Sequence, residues 1–272
     1  MSISSKKIVN FLIILSTIII SINFLNFVSE KSLVQYSDWL INYQGGFVRR
    51  GFIGEIFFQF YKLSSIPLDI IVSLFVIIFY AFFALLFIKT LKKIKLDFLN
   101  LLIIFSPISF LYPVMEQKVS GRKDILFILA ITILVFFLEK VKFKNQKYLI
   151  LLLALIVTFS HSGFFVYLPL FILIFIIINH KERLKHLMME IAILAIFFGF
   201  LFITVMLNTA IDESNVKLIC ISIQEFQPRC GSADYIETLS WTFSNEIKDV
   251  KKIINKENYI LFYSLAFSLF SS

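Results

Sequence analysis

Arg49 and Arg50 stand side by side just after a diglycine, in the stretch Tyr36-Ser37-Asp38-Trp39-Leu40-Ile41-Asn42-Tyr43-Gln44-Gly45-Gly46-Phe47-Val48-Arg49-Arg50-Gly51-Phe52-Ile53-Gly54-Glu55. Two forked guanidinium groups suit phosphate or diphosphate oxygens, which they can grip through paired hydrogen bonds. Gly45 and Gly46 permit positive φ and let backbone approach a ligand closely. Successive N–H groups in such a turn form an anion-binding nest, and a helix starting near Phe47 would add its dipole. Asp38 and Glu55 flank the pair as partners or bases. Asn42 offers an amide, while Trp39, Tyr43 and Phe47 suit the headgroup region or stacking on a sugar ring. The competing reading is an interfacial amphipathic helix with snorkelling arginines and an aromatic belt. It leaves unexplained why four of the chain's eight glycines fall in this stretch.

A second polar cluster, Glu116-Gln117-Lys118-Val119-Ser120-Gly121-Arg122-Lys123-Asp124, separates two apolar runs. Gly121 suits a turn, and Asp124 suits the start of a helix. Arg122 and Lys123 call for an anionic partner, unless this is simply a capped hairpin with solvated charges. The third candidate is His161, flanked by Ser160, Ser162 and Gly163, as a hydrogen-bond donor to sugar or a proton acceptor; a backbone-bonded neutral histidine is the plainer alternative. No phosphate-loop or dinucleotide glycine motif is present. The outer loops carry no clear pair of carboxylates at metal-ligand spacing (Asp212-Glu213 is a weak candidate), so neither a metal nor a cofactor is expected. No ladder of charges runs through the spans, as an ion-coupled transporter would need.

The elements that must position these groups are apolar helices. Hydrophobic residues make up 59% of 272 positions and mean hydropathy is +0.88, well above a soluble domain at roughly 45–50% apolar. The chain therefore reads as a single all-α, polytopic membrane domain over 1–272, with about eight spans near 8–28, 67–88, 98–115, 124–138, 148–160, 163–179, 188–207 and from Tyr259. Lysines concentrate in 89–97, 139–147 and 180–187; with Lys6 and Lys7 they belong on the cytoplasmic side. This pattern, not a nucleic-acid face, accounts for the net charge of +8. The first span has no small-residue cleavage site after it and reads as uncleaved. The loops 29–66, 116–123, 161–162 and 208–258 fall outside, and with them every unusual polar motif.

Some spans are short for a hydrocarbon core of about 30 Å. Two short helices meeting at Ser160-His161-Ser162-Gly163 would put that tip below the outer surface, where irregular backbone needs a wet cavity or protein around it. In the large loop, Cys220 and Cys230 can form a disulfide worth roughly 2–3 kcal/mol, or remain free thiols. The sequence stops about twelve residues into its last apolar run, which suggests a shortened version of a larger multi-span protein or a final helix that barely crosses.

The pattern Tyr36-x-Asp38-Trp39-x-x-Asn42-x-x-Gly45-Gly46-Phe47-Val48-Arg49-Arg50-Gly51 after a first span resembles a segment of bacterial O-antigen and capsule repeat-unit polymerases. The segments 121–124 and 160–162 are similar to later motifs of the same group. The resemblance covers about thirty residues of the chain and implies glycosyl transfer between polyprenyl-diphosphate-linked oligosaccharides. It implies Arg49, Arg50, Arg122 and Lys123 as the diphosphate clamp, with Gly45, Gly46, Asn42 and Trp39 beside it. Asp38 is then the first choice of general base, followed by Glu116 and His161. The implied setting is the bacterial cytoplasmic (inner) membrane with the N-terminus in the cytoplasm. The implied partners are lipid-linked oligosaccharide, membrane lipid and other polysaccharide-assembly proteins, a chain-length regulator among them. A non-catalytic assembly partner and a lipid-linked sugar flippase are the alternatives.

Overall fold

The computed structural model describes residues 3–32, 35–93, 114, 120–161, 164, 167–207, 211–231 and 236–240. Over these it is helical throughout: α1 (Ile3–Ser29), α2 (Gln35–Leu40), α3 (Phe52–Ser64), α4 (Leu68–Leu91), α5 (Asp124–Phe137), α6 (Phe143–Ser160), α7 (Leu168–Ile178), α8 (Leu184–Leu207) and α9 (Glu213–Ser222), with 3₁₀ turns at Leu138–Lys140 and Glu237–Ser240. Among the described residues there is no strand. The expected span at 98–115, the one from Tyr259, and Glu116 lie outside the described residues.

Long apolar runs have one stable open-chain solution in lipid, the α-helix, which satisfies its own N–H and C=O groups. Among the described residues, four helical stretches are long and apolar enough to cross a membrane: Lys6–Ser29, Leu68–Leu91, Phe143–Ser160 and Leu184–Val205. The other two apolar helices are short; α5 has 14 residues and α7 has 11, about 21 Å and 16 Å at 1.5 Å per residue. Helix α6 begins at Phe143, earlier than the apolar run from Tyr148, because its polar first turn has work to do. Gln146 donates to the carbonyls of Leu138 (2.8 Å) and Val141 (3.1 Å), closing the end of α5, and accepts from Asn179 at 2.6 Å. Lys147 pairs with Glu190 at 3.0 Å across to α8. These bonds fasten the lysine-rich end.

At the opposite end the chain turns through tighter geometry. Ser65 ends α3 in the left-handed region at φ 56, its N–H bonded to the Tyr61 carbonyl, and Pro67 stands immediately before α4. Proline cannot continue the preceding helix, so the break is fixed here. Helix α4 packs between α1 and α5, and α3 packs on α4 and α6. Trp39 is the centre of this end: fully buried, its ring lies 6.1–6.4 Å from those of Phe24, Phe57 and Phe79, and its Nε1 donates to the Gly121 carbonyl at 2.7 Å.

Gly54 lets α3 lie directly on the backbone of residues 39–41, since a Cβ there would overlap the Ile41 carbonyl. Neither partner is a flexible side-chain tip, so Gly54→Ala should cost about 1–3 kcal/mol through overpacking. Thermal unfolding of the detergent-purified variant, read by tryptophan fluorescence, measures the loss.

Candidate functional site

Helix α2 opens with the Gln35 N–H bonded to the Ser32 hydroxyl at 3.3 Å, and all six of its residues are buried. Beyond it the chain is held by its own side chains. Asn42 Oδ1 accepts from the Gln44 N–H at 3.0 Å, an Asx-type turn. Its Nδ2 donates to the Leu40 carbonyl at 3.3 Å and to Ser222 of α9 at 3.0 Å. Glu55 reaches back to accept from the Tyr43 N–H at 2.8 Å and from Gln44 Nε2 at 3.4 Å. Gly46 takes φ 96, and its N–H bonds the Tyr43 carbonyl at 3.0 Å.

Four expectations about this stretch meet a different local setting. The helix after the diglycine starts at Phe52, not near Phe47, so its dipole does not point from the diglycine turn. Gly45 is pressed against the Asn215 backbone of α9; its missing side chain makes room for protein. Trp39 is sealed among phenylalanines and has no face for a sugar. Asn42 is likewise wholly buried in bonds that hold the loop.

What the structure does bring together is the chemistry of three segments far apart in sequence. Lys123, fully buried at the start of α5, places Nζ 3.0 Å from the Arg50 carbonyl and 3.6 Å from Asp38 Oδ1. Arg122 pairs with Asp124 at 3.3 Å. His161 follows the last residue of α6, its N–H bonded to the Val157 carbonyl and its ring 4.8 Å from that of Phe164; buried Nδ1 has no hydrogen-bond partner. Arg49 is also buried. Gly121, at φ 74 against the Phe24 ring, forms the turn that delivers Arg122 and Lys123.

These groups reset one another's protonation. Burial alone would raise the Asp38 pKa, but the facing Lys123, His161, Arg50 and Arg122 outweigh it and hold the carboxyl below its usual range. His161 adds to that only when protonated, so at neutral pH the three permanent cations carry the effect. Desolvation brings Lys123 down to about 8, partly offset by Asp38; it keeps its charge at neutral pH. Burial, reinforced by Arg50, takes His161 down to about 3, leaving a neutral ring. Among the described residues, Arg50, Arg122 and Lys123 thus gather in one electrostatic cluster with Asp38 and Asp124.

Cys220 and Cys230 are joined in a disulfide, the first of the two states open to them in the sequence. Residues beyond the sequence reading also shape this end. The segment it closes carries Gln227, which donates to the carbonyls of Lys31 and Ser32 (both 3.2 Å), and Arg229, which donates to those of Glu30 and Lys31 (both 3.1 Å). These bonds satisfy the carbonyls at the end of α1, a task that periodicity does not reveal. Beside α9, Glu213 and Lys217 line a cavity of about 590 Å³ together with Gln224, Gln227, Glu237 and Ser240 from the chain beyond the helix. The arginine pair does not line it. Among the described residues no group of His, Cys, Asp and Glu is arranged to hold a metal ion. Comparison of the chain with protein-family models, curated proteins and solved structures finds no match.

Removing one member of a buried ion pair leaves the other uncompensated, at a cost of about 3–5 kcal/mol. Lys123→Met should therefore lower stability by that amount, and the double variant Asp38→Asn, Lys123→Met should recover most of it. Thermal melts of the two variants in detergent test the pairing. His161 gives a pH prediction. Its pKa is 6.5 in the unfolded chain and about 3 when folded, so across that window the unfolded chain binds more protons. Stability must fall as pH drops from 6.5. His161→Gln should flatten the loss between pH 6.5 and about 4.5, above the range where Asp38 titrates; melting temperature against pH reads it directly.

Proposed function

We propose that the chain transfers or polymerises polyprenyl-diphosphate-linked oligosaccharide units in surface-polysaccharide synthesis. In this reading it is an eight-span protein of the bacterial cytoplasmic membrane, its N-terminus in the cytoplasm and its polar end outside. The carrying observation is the convergence of Asp38, Arg50, Arg122, Lys123 and His161, drawn from three segments of the chain, at the end of the helices opposite the lysine-rich loops. An acceptor hydroxyl oxygen bonds to the donor's anomeric carbon, the bond from that carbon to the diphosphate oxygen breaks, and polyprenyl diphosphate departs with the electron pair. Negative charge grows on the leaving group, so fixed cations beside it lower the barrier. Arg50 and Arg122 take that part, with Arg49 behind them, and Lys123 positions Asp38 and the Arg50 backbone.

The attacking hydroxyl loses its proton to a base. Asp38, held ionised, is a weak base, and so is His161. A weak base suffices when the transition state is oxocarbenium-like, because the hydroxyl becomes strongly acidic as its oxygen bonds to carbon. Asp38 remains the first choice and His161 Nδ1 the second.

The burial of Asp38, Trp39, Asn42 and Arg49 favours one alternative, a non-catalytic assembly partner. Glycan analysis after gene deletion separates the readings. Loss of long chains with single repeat units retained supports transfer, and loss of all surface units indicates a flippase. Arg50→Ala should reduce elongation about 100-fold or more with the protein still present in the membrane. Normal elongation by both Arg49→Ala and Arg50→Ala would remove the clamp, and full elongation by the deletion strain would remove the whole reading.

A further inference from the structure

Helix α3 exposes two chemically different strips along its length. At 100° per residue, Ile56, Phe60 and Leu63 fall within one narrow arc, and Glu55, Gln59 and Lys62 fall in the arc beside it. The remaining face carries Gly54, Phe57 and Phe58, all buried against the core. The apolar strip is open: Ile56 and Phe60 are each 44% exposed and Leu63 is 85% exposed. An exposed helix surface divided lengthwise in this way meets two solvents.

We infer that α3 is an interfacial helix, with Ile56, Phe60 and Leu63 immersed in the acyl chains of the membrane and Glu55, Gln59 and Lys62 at headgroup level. Lipid is chosen over a protein partner for its continuity with α4. Past the Ser65–Pro67 break, Ile66 (40% exposed) leads to Ile70, Leu74, Ile78, Phe82 and Leu85, an exposed apolar stripe on a helix long enough to cross the membrane. No charged side chain interrupts the apolar strip of α3. Lys62 turns away from it: Nζ lies 4.5 Å from the Phe58 ring centre and 3.4 Å from Gln44 Oε1, the posture of a cation reaching out of lipid along its own stem. Gln44 also bonds Glu55, so the polar strip is tied to the loop carrying Arg49 and Arg50. The lipid surface thereby sets the height of that loop. The inference rests on the membrane character of the chain and not on glycosyl transfer, so either can fail alone.

Both cysteines are bonded to each other, so an added cysteine is labelled selectively. The full chain carrying Phe60→Cys, Leu63→Cys, Gln59→Cys or Lys62→Cys is spin-labelled and reconstituted in phosphatidylcholine–phosphatidylglycerol liposomes. Collision with oxygen, which concentrates in lipid, is compared with collision with a water-soluble nickel chelate. The expected result is an oxygen-to-nickel ratio several-fold higher at positions 60 and 63 than at 59 and 62. Equal ratios on both strips would place the helix in water and overturn the inference. Low accessibility to both agents at 60 and 63 would overturn it too, showing that protein, a second copy or another chain, covers the strip.

Discussion

The polar end of this molecule is organised by a single ion pair out of reach of water. Lys123 enters from the turn before α5, and Asp38 enters from a six-residue helix after α1. Taking both charges out of water costs several kcal/mol per ion, which their attraction returns only when the remaining hydrogen-bonding capacity is met. The Arg50 carbonyl meets part of it for Lys123. One ammonium thus ties α2, the arginine loop and the start of α5 together. Such a contact contributes less to stability than to specificity: a one-residue slip of any of the three segments would strand a buried charge.

Around the pair, packing leaves little freedom. Trp39 bonds the carbonyl of Gly121 while filling the space between α1, α3 and α4. Gly54 and Gly121 bring their own backbones against the chain and ring they face, and Gly45 does the same against α9. Glycine is used here mainly for close approach between segments, with the positive φ of Gly46 and Gly121 shaping the turns. The chain leading to Arg49 and Arg50 is held at residues 42–44 by Asn42, Glu55 and Ser222, and the Arg50 carbonyl is tied to Lys123.

The helices were legible because uninterrupted apolar sequence has few alternatives in lipid; runs at 67–88, 124–138 and 188–207 correspond to α4, α5 and α8. The start of α6 was not, because Lys144, Asn145 and Lys147 look like loop, and only the three-dimensional partners of Gln146 and Lys147 explain their helical turn. At the site, composition marked Asp38, Arg50, Arg122, Lys123 and His161 as out of place among apolar runs. It did not say that Asp38 would meet Lys123, since pairing across 85 positions (123 minus 38) is a property of the fold. The packing of Trp39, Asn42 and Gly45 was hidden for the same reason. An aromatic ring, an amide and a glycine serve packing as readily as binding, and only the identity of the neighbour decides.

Burial within protein gives the cluster its electrostatic setting. Asp38 and Lys123 are enclosed by packed side chains, and His161 Nδ1 is buried as well. Burial lowers the effective dielectric, which strengthens the pull between Asp38 and Lys123 and raises the cost of any charge left unbalanced. Among the described residues, Arg50, Arg122 and Lys123 share this space with Asp38 and Asp124. Burial beside three cations depresses the basicity of His161, and its neutral ring adds no further charge. In the proposed reading, the same low dielectric that makes the pair costly to build would make these cations more effective on a diphosphate.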